Sequence, residues 1–155
     1  MDINKEYLTK EKFEDLQKEL HGLQTVTRKK VAEQLEYAKG LGDLSENAEY
    51  QEARENQAKL EARISQLEAL LKDAEIVSHK KGDTVEVGST VQVKKAGEST
   101  VGEYHIVGSE EADFSKNKIS LHSPLGSALL GKKKGDDFVF LSPKGKVSYS
   151  VIAVK

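Results

Sequence analysis

The chain has 155 residues, 24 basic against 26 acidic, with 37% hydrophobic and 32% charged side chains and no cysteine. That length accommodates one domain or two small ones, and the apolar content suffices for a modest core beside long solvated helices. The lack of cysteine excludes disulfides and thiolate metal sites, and a net charge of -2 excludes a protein that coats nucleic acid with a continuous basic face.

The charge is unevenly spread. Before Ser78 there are 12 basic and 17 acidic residues, and from Ser78 onward 12 and 9, so any contact with a polyanion must be local. No run of ~18 apolar residues offers a membrane span, and no charged-then-apolar leader occupies residues 1–10. The expectation is a cytoplasmic protein with no membrane partner. The histidines His21, His79, His105 and His122 lack ligand spacing and read as surface or packing residues.

From Thr9 to about Lys39, the apolar residues Phe13, Leu16, Leu20, Leu23, Val31, Leu35 and Ala38 recur mostly at steps of three and four. This predicts one amphipathic helix with Thr9 as its N-cap. The pattern breaks in Gly40-Leu41-Gly42-Asp43-Leu44-Ser45-Glu46-Asn47 and resumes from about Ser45 to Glu75 with Ala53, Leu60, Ile64, Leu67, Leu71 and Ala74. Two antiparallel helices follow, with Asp43 and Glu46 at the exposed tip. About 30 residues at ~1.5 Å each give an arm of roughly 45 Å.

The character changes at Ser78. Val85, Val87, Val91 and Val93 alternate around Gly88, and Val101 to Val107 forms another short apolar run. A brief helix is predicted over Ser127 to Leu130, after Pro124 and closed by Gly131. Phe138 to Leu141 and Val147 to Val151 form a terminal hairpin around Pro143-Lys144-Gly145. The fold class is α+β, with an antiparallel helical coiled coil over 1–77 and an antiparallel β-sheet domain with one short helix over 78–155.

The tip Gly42-Asp43-Leu44-Ser45-Glu46-Asn47-Ala48-Glu49-Tyr50, continuing Ala53-Arg54-Glu55-Asn56-Gln57, resembles the signature of the Gre family of bacterial transcript cleavage factors, the GreA type above all. The stretches Ile106-Val107-Gly108, Glu111-Ala112-Asp113-Phe114, Ile119-Ser120, Ser123-Pro124-Leu125-Gly126 and Gly131-Lys132 resemble that family's second domain. The resemblance implies a coiled-coil finger joined to a globular domain similar to FK506-binding proteins. It further implies a monomer that works on RNA polymerase. The globular domain would dock at the rim of the secondary channel through Asp113, Ser123, Pro124 and Leu125. The tip would stimulate cleavage of the backtracked nascent RNA 3′ end by the polymerase itself, with DNA met only through the elongation complex.

Two-metal phosphodiester hydrolysis needs a second ion and an oriented water. Mg²⁺ prefers about six oxygen ligands, so Asp43 and Glu46 can complete a site shared with the polymerase but cannot make one alone. The same residues also fit a helix-start D-x-x-E pattern, Asp43 capping and Glu46 reaching back, while Ser45 as N-cap would release Asp43. Both readings stay open on the residues alone. Arg28, Lys29 and Lys30 with Arg54 and Lys59 can form a one-sided patch for RNA phosphates, or a coiled-coil face paired with Glu33, Glu36, Glu55 and Glu61. Tyr50 can stack on an RNA base or pad the turn against Leu44. The competing functions are a channel-binding inhibitor without cleavage activity, a peptidyl-prolyl isomerase and a plain coiled-coil adaptor.

Overall fold

The computed structural model describes residues 2, 4–43, 46–78 and 82–155. The expectations for Leu44, Ser45 and His79 lie outside the described residues. The chain divides into two compact units, Phe13–Asp73 and a second made of the residues up to Lys12 together with Ala74–Lys155. Residues up to Lys12 and from Ala74 to Val77 thus group with the sheet unit, whereas the expected division at 77/78 follows the change of sequence character. The reason is a short parallel pairing of β1 (Tyr7–Thr9) with β2 (Glu75–Val77), Tyr7 opposite Glu75 and Thr9 opposite Val77. Tyr7 is 3% exposed and belongs to the core of the second unit. Gly108 lets the strand in, because a Cβ there would collide with the Tyr7 carbonyl oxygen.

The first long helical run is α1 (Lys10–Gly22), a π-helical segment over Leu23–Thr27, and α2 (Arg28–Lys39). Thr9 caps it as predicted, its Oγ1 accepting from the Lys12 N–H at 3.2 Å. A uniform α-helix was expected. The step from Leu23 to Val31 exceeds two α-turns of roughly 7.2 residues, and a wider π-turn takes up the surplus while keeping both side chains on the buried stripe. Thr25 also donates its hydroxyl to the His21 carbonyl at 2.7 Å, a bond that competes with the α ladder.

The returning helix, α3 (Ala48–Asp73), starts and ends inside its predicted limits. Its predicted stripe of Ala53, Leu60, Ile64 and Leu67 is buried. Val31, Leu60 and Ile64 cluster with the half-buried Leu20, Leu23 and Leu35. Arg28 bonds Glu61 and Gln24 bonds Glu68, numbers falling on one helix as they rise on the other, so the helices run antiparallel.

The second unit is built on β3 (Thr90–Lys95), β4 (Val101–Val107), β5 (Lys118–Ser120), β6 (Asp137–Ser142) and β7 (Gly145–Val154) in the order β5-β4-β3-β7-β6. The terminal hairpin β6–β7 forms as expected, closing at Ser142 opposite Gly145. The sheet is mixed, not wholly antiparallel, since β4 and β5 run parallel. Residues 108–117 carry two 3₁₀ turns and lead the chain back to the start of β4's edge, where a hairpin would have reversed it. Helix α4 (Pro124–Leu129) begins three residues earlier than predicted because Pro124 occupies its first turn and Ser123 caps it. Val85, Val87, Val91 and Val93 all enter the core with Ile106 and Leu129, so the alternation reports burial correctly.

Candidate functional site

The connection between α2 and α3 is shaped by backbone requirements at Gly40, Gly42 and Asn47. Gly40 closes α2, its N–H bonding the Tyr37 carbonyl at 3.1 Å. Gly42 has φ 135°, a region open to glycine and strained for any residue with a Cβ. Asn47 then caps α3, its Oδ1 accepting from the Tyr50 N–H at 3.0 Å. Its Nδ2 donates to the Ala38 carbonyl at 2.6 Å, so one amide closes the end of α2 onto the start of α3.

The start of α3 is capped one residue beyond the D-x-x-E pattern of Asp43 and Glu46. Helix α3 starts two residues after Glu46, and the cap is Asn47, which the D-x-x-E pattern had obscured. Asp43 and Glu46 are both exposed, three positions apart in the connection. Among the described residues, no group of three His, Asp or Glu could hold a metal. Two exposed carboxylates fit a shared Mg²⁺ whose remaining ligands come from elsewhere, and do not fit a cage of their own.

The predicted RNA-binding cations are exposed but do not form a single face. At ~100° per residue, Arg28, Lys29 and Lys30 point in three directions, and Arg54 and Lys59 fall about 140° apart on either side of the Ala53 and Leu60 stripe. Arg28 is held in a two-pronged ion pair with Glu61 at 2.9 and 2.8 Å, as the salt-bridge alternative proposed. Hydrogen bonding to Arg28 keeps the Glu61 carboxyl below its ordinary range. By the same ~100° per residue, Lys30 and Lys59 fall on the flank opposite the Arg28–Glu61 pair. Tyr50 is half-buried, whereas Tyr37, which sequence reasoning passed over, is 67% exposed beside the tip.

The predicted docking residues of the second unit have local structural roles. Asp113 Oδ1 accepts from the Ser115 hydroxyl at 2.5 Å and from its N–H at 3.1 Å, capping a 3₁₀ turn. The Ser115 hydroxyl bond is the largest influence and, joined by the Ser115 N–H and Lys116, outweighs desolvation and holds this carboxyl below its usual range. Ser123 Oγ accepts from the Gly126 N–H at 3.0 Å and donates to the Ser120 carbonyl at 2.7 Å. Pro124 is exposed at the start of α4 and Leu125 packs against the core. Next to Asp113, Phe114 stands 79% exposed, an apolar ring the sequence reading did not single out. A cleft of about 780 Å³ between α4 and the β6–β7 hairpin is lined in part by Ala128, Leu130, Phe138 and Tyr149.

Comparison with known proteins covers nearly the whole chain. The family model described as transcription elongation factor, N-terminal, matches residues 6–76, and that described as transcription elongation factor, GreA/GreB, C-term, matches residues 79–155. The chain is 45% identical over 158 residues to the transcription elongation factor GreA of Clostridium acetobutylicum, with 100% of each covered. It is also 45% identical over 150 residues to that of Thermoanaerobacter pseudethanolicus, with 96% of each covered. Among solved structures, the GreA factor homolog 1 protein of Thermus thermophilus is 29% identical with a TM-score of 0.45, covering 97% of this chain and 99% of that one.

Proposed function

Because this chain belongs to the GreA/GreB family of transcription elongation factors, we propose that it enters the secondary channel of bacterial RNA polymerase and stimulates the polymerase's own cleavage of backtracked RNA. The observation that carries this reading is the tip: Asn47 occupies the cap of α3, while Asp43 and Glu46 stand exposed in the connection. Their carboxylates would join the polymerase's acids around an Mg²⁺, which when bound supplies Lewis-acid activation of water. Asp43 and Glu46 add negative charge and hydrogen-bond acceptors there, orienting the attacking water toward the scissile phosphate. Lys30 and Lys59 would hold RNA phosphates along one flank, while Arg28 pairs with Glu61. The second unit docks through the surface of Asp113, Ser123, Pro124 and Leu125, and the protein works as a monomer, meeting DNA only through the elongation complex.

The chain alone is not a nuclease in this reading, since two carboxylates leave most of an Mg²⁺ shell unfilled. The test is RNA 3′-end cleavage in a stalled, backtracked bacterial polymerase complex with Mg²⁺, comparing no factor, wild type and Asp43→Asn. Rapid shortening that requires Asp43 supports the proposal. Competition for the channel without shortening would place the protein among inhibitors.

A further inference from the structure

Beside the tip, the end of α2 and the start of α3 enclose a groove of about 280 Å³. Its floor is Ala38 and Ala53, 2% and 4% exposed, whose single methyl groups leave the space that larger side chains would fill. Tyr37 and Gln34 form one wall, three residues apart on α2. Glu49, Glu52 and Asn56 form the other at steps of three and four on α3. Tyr37 is 67% exposed, and among the described residues none of these five polar side chains has a hydrogen-bond or ion-pair partner. Elsewhere in this unit Glu61 and Glu19 are neutralised by Arg28 and Arg63. Among the described residues no cation lines the groove, Arg54 lies on the opposite flank from Glu52, and Lys30 and Lys59 lie about a turn farther along.

We propose that this groove receives an arginine side chain from the protein partner, its guanidinium stacked on Tyr37 and hydrogen-bonded to Glu49 and Glu52. The inference rests on the reading that the tip works inside RNA polymerase and names a contact made there. Charge selects the occupant, because two uncompensated carboxylates attract a cation and repel the phosphates of a nucleotide. Size is compatible with this: at about 280 Å³ the groove sits at the small end of the roughly 300–1,000 Å³ of ligand pockets and accommodates one side chain. A planar guanidinium stacks on an aromatic ring and bonds carboxylates through two N–H groups at once, which an ammonium does not.

The test measures affinity of the full chain for bacterial core RNA polymerase by competition, at low and high salt. It compares wild type, Tyr37→Ala, Tyr37→Phe and the double variant Glu49→Gln with Glu52→Gln. Tyr37→Ala and the double variant are expected to bind about 3- to 10-fold more weakly, with the double variant losing much of the salt dependence and Tyr37→Phe close to wild type. In the cleavage assay the concentration of factor giving half-maximal rate rises by the same factor while the maximal rate holds. Unchanged affinity in both variants overturns the proposal. A fall in maximal rate that varies with the RNA 3′ base, at constant affinity, assigns the groove to RNA instead. A wild type that binds polymerase without cleaving RNA overturns the cleavage reading alone, and one that does not bind overturns both.

Discussion

Replacing Asn47 by alanine tests whether one amide organises the tip. The substitution removes the cap acceptor for the Tyr50 N–H, at about 1 kcal/mol, the usual effect of Asn→Ala at an N-cap. It also removes the 2.6 Å bond to the Ala38 carbonyl, a net loss of about 1 kcal/mol more for a half-buried neutral pair. Together these give about 2 kcal/mol, which at a typical urea slope moves the midpoint of helix loss by about 1 M. Asn47→Asp separates the two bonds. It keeps the cap acceptor, loses the donor to Ala38 and should fall near half the loss. The assay is urea unfolding followed by circular dichroism at 222 nm, with RNA cleavage measured in parallel. Asn47→Ala should lower stimulated cleavage although Asp43 and Glu46 are both retained. A midpoint within about 0.2 M of wild type would show that the tip is held by something other than Asn47.

Asp43→Asn and Glu46→Gln should each abolish stimulated cleavage and leave polymerase affinity unchanged; loss of affinity instead would make the tip a docking element. Gly108→Ala should destabilise the second unit by about 1–3 kcal/mol, because the new methyl meets the Tyr7 carbonyl, and calorimetry would show it as a lowered melting transition. The Glu61 carboxyl is held below its unfolded value by Arg28, so its stabilisation is present above the ordinary carboxylate range and is lost as pH falls through about 4 and below. Arg28→Gln should remove that part of the acid dependence, read as a smaller gap between melting temperatures at pH 7 and pH 3.

The parts of the fold legible in the sequence are those whose periodicity reports burial. Val85, Val87, Val91 and Val93 alternate because every second residue faces the core, and the stripe Ala53, Leu60, Ile64 and Leu67 recurs because one face of α3 does. The π-turn was hidden in a single surplus residue between Leu23 and Val31. Strand β1 is three residues long, too short for any period, and its place depends on the absence of a side chain a hundred positions away at Gly108. The parallel pairing of β5 follows from the path of residues 108–117 rather than from any local pattern in Lys118–Ser120.

At the tip the acids were legible and the cap of α3 was not. A D-x-x-E spacing is what a capping box looks like, so Asp43 and Glu46 carry two meanings in the sequence, and the pattern gives no hint that Asn47 caps α3. An amide suits that position better than a carboxylate would, because it both accepts from Tyr50 and donates to Ala38, and a carboxylate can only accept. With the cap of α3 and its closure onto α2 assigned to Asn47, Asp43 and Glu46 lie outside the helices in the connection, Asp43 directly after the positive-φ backbone of Gly42. Tyr37 follows the same logic. Tyr50 was open to stacking or to packing in the sequence and is half-buried in the first turn of α3, while Tyr37 sits where helical geometry turns it outward beside small residues. Tyr37 is thus left at the surface because the residues beside it, Ala38 and Ala53, fill the helix contact with single methyl groups.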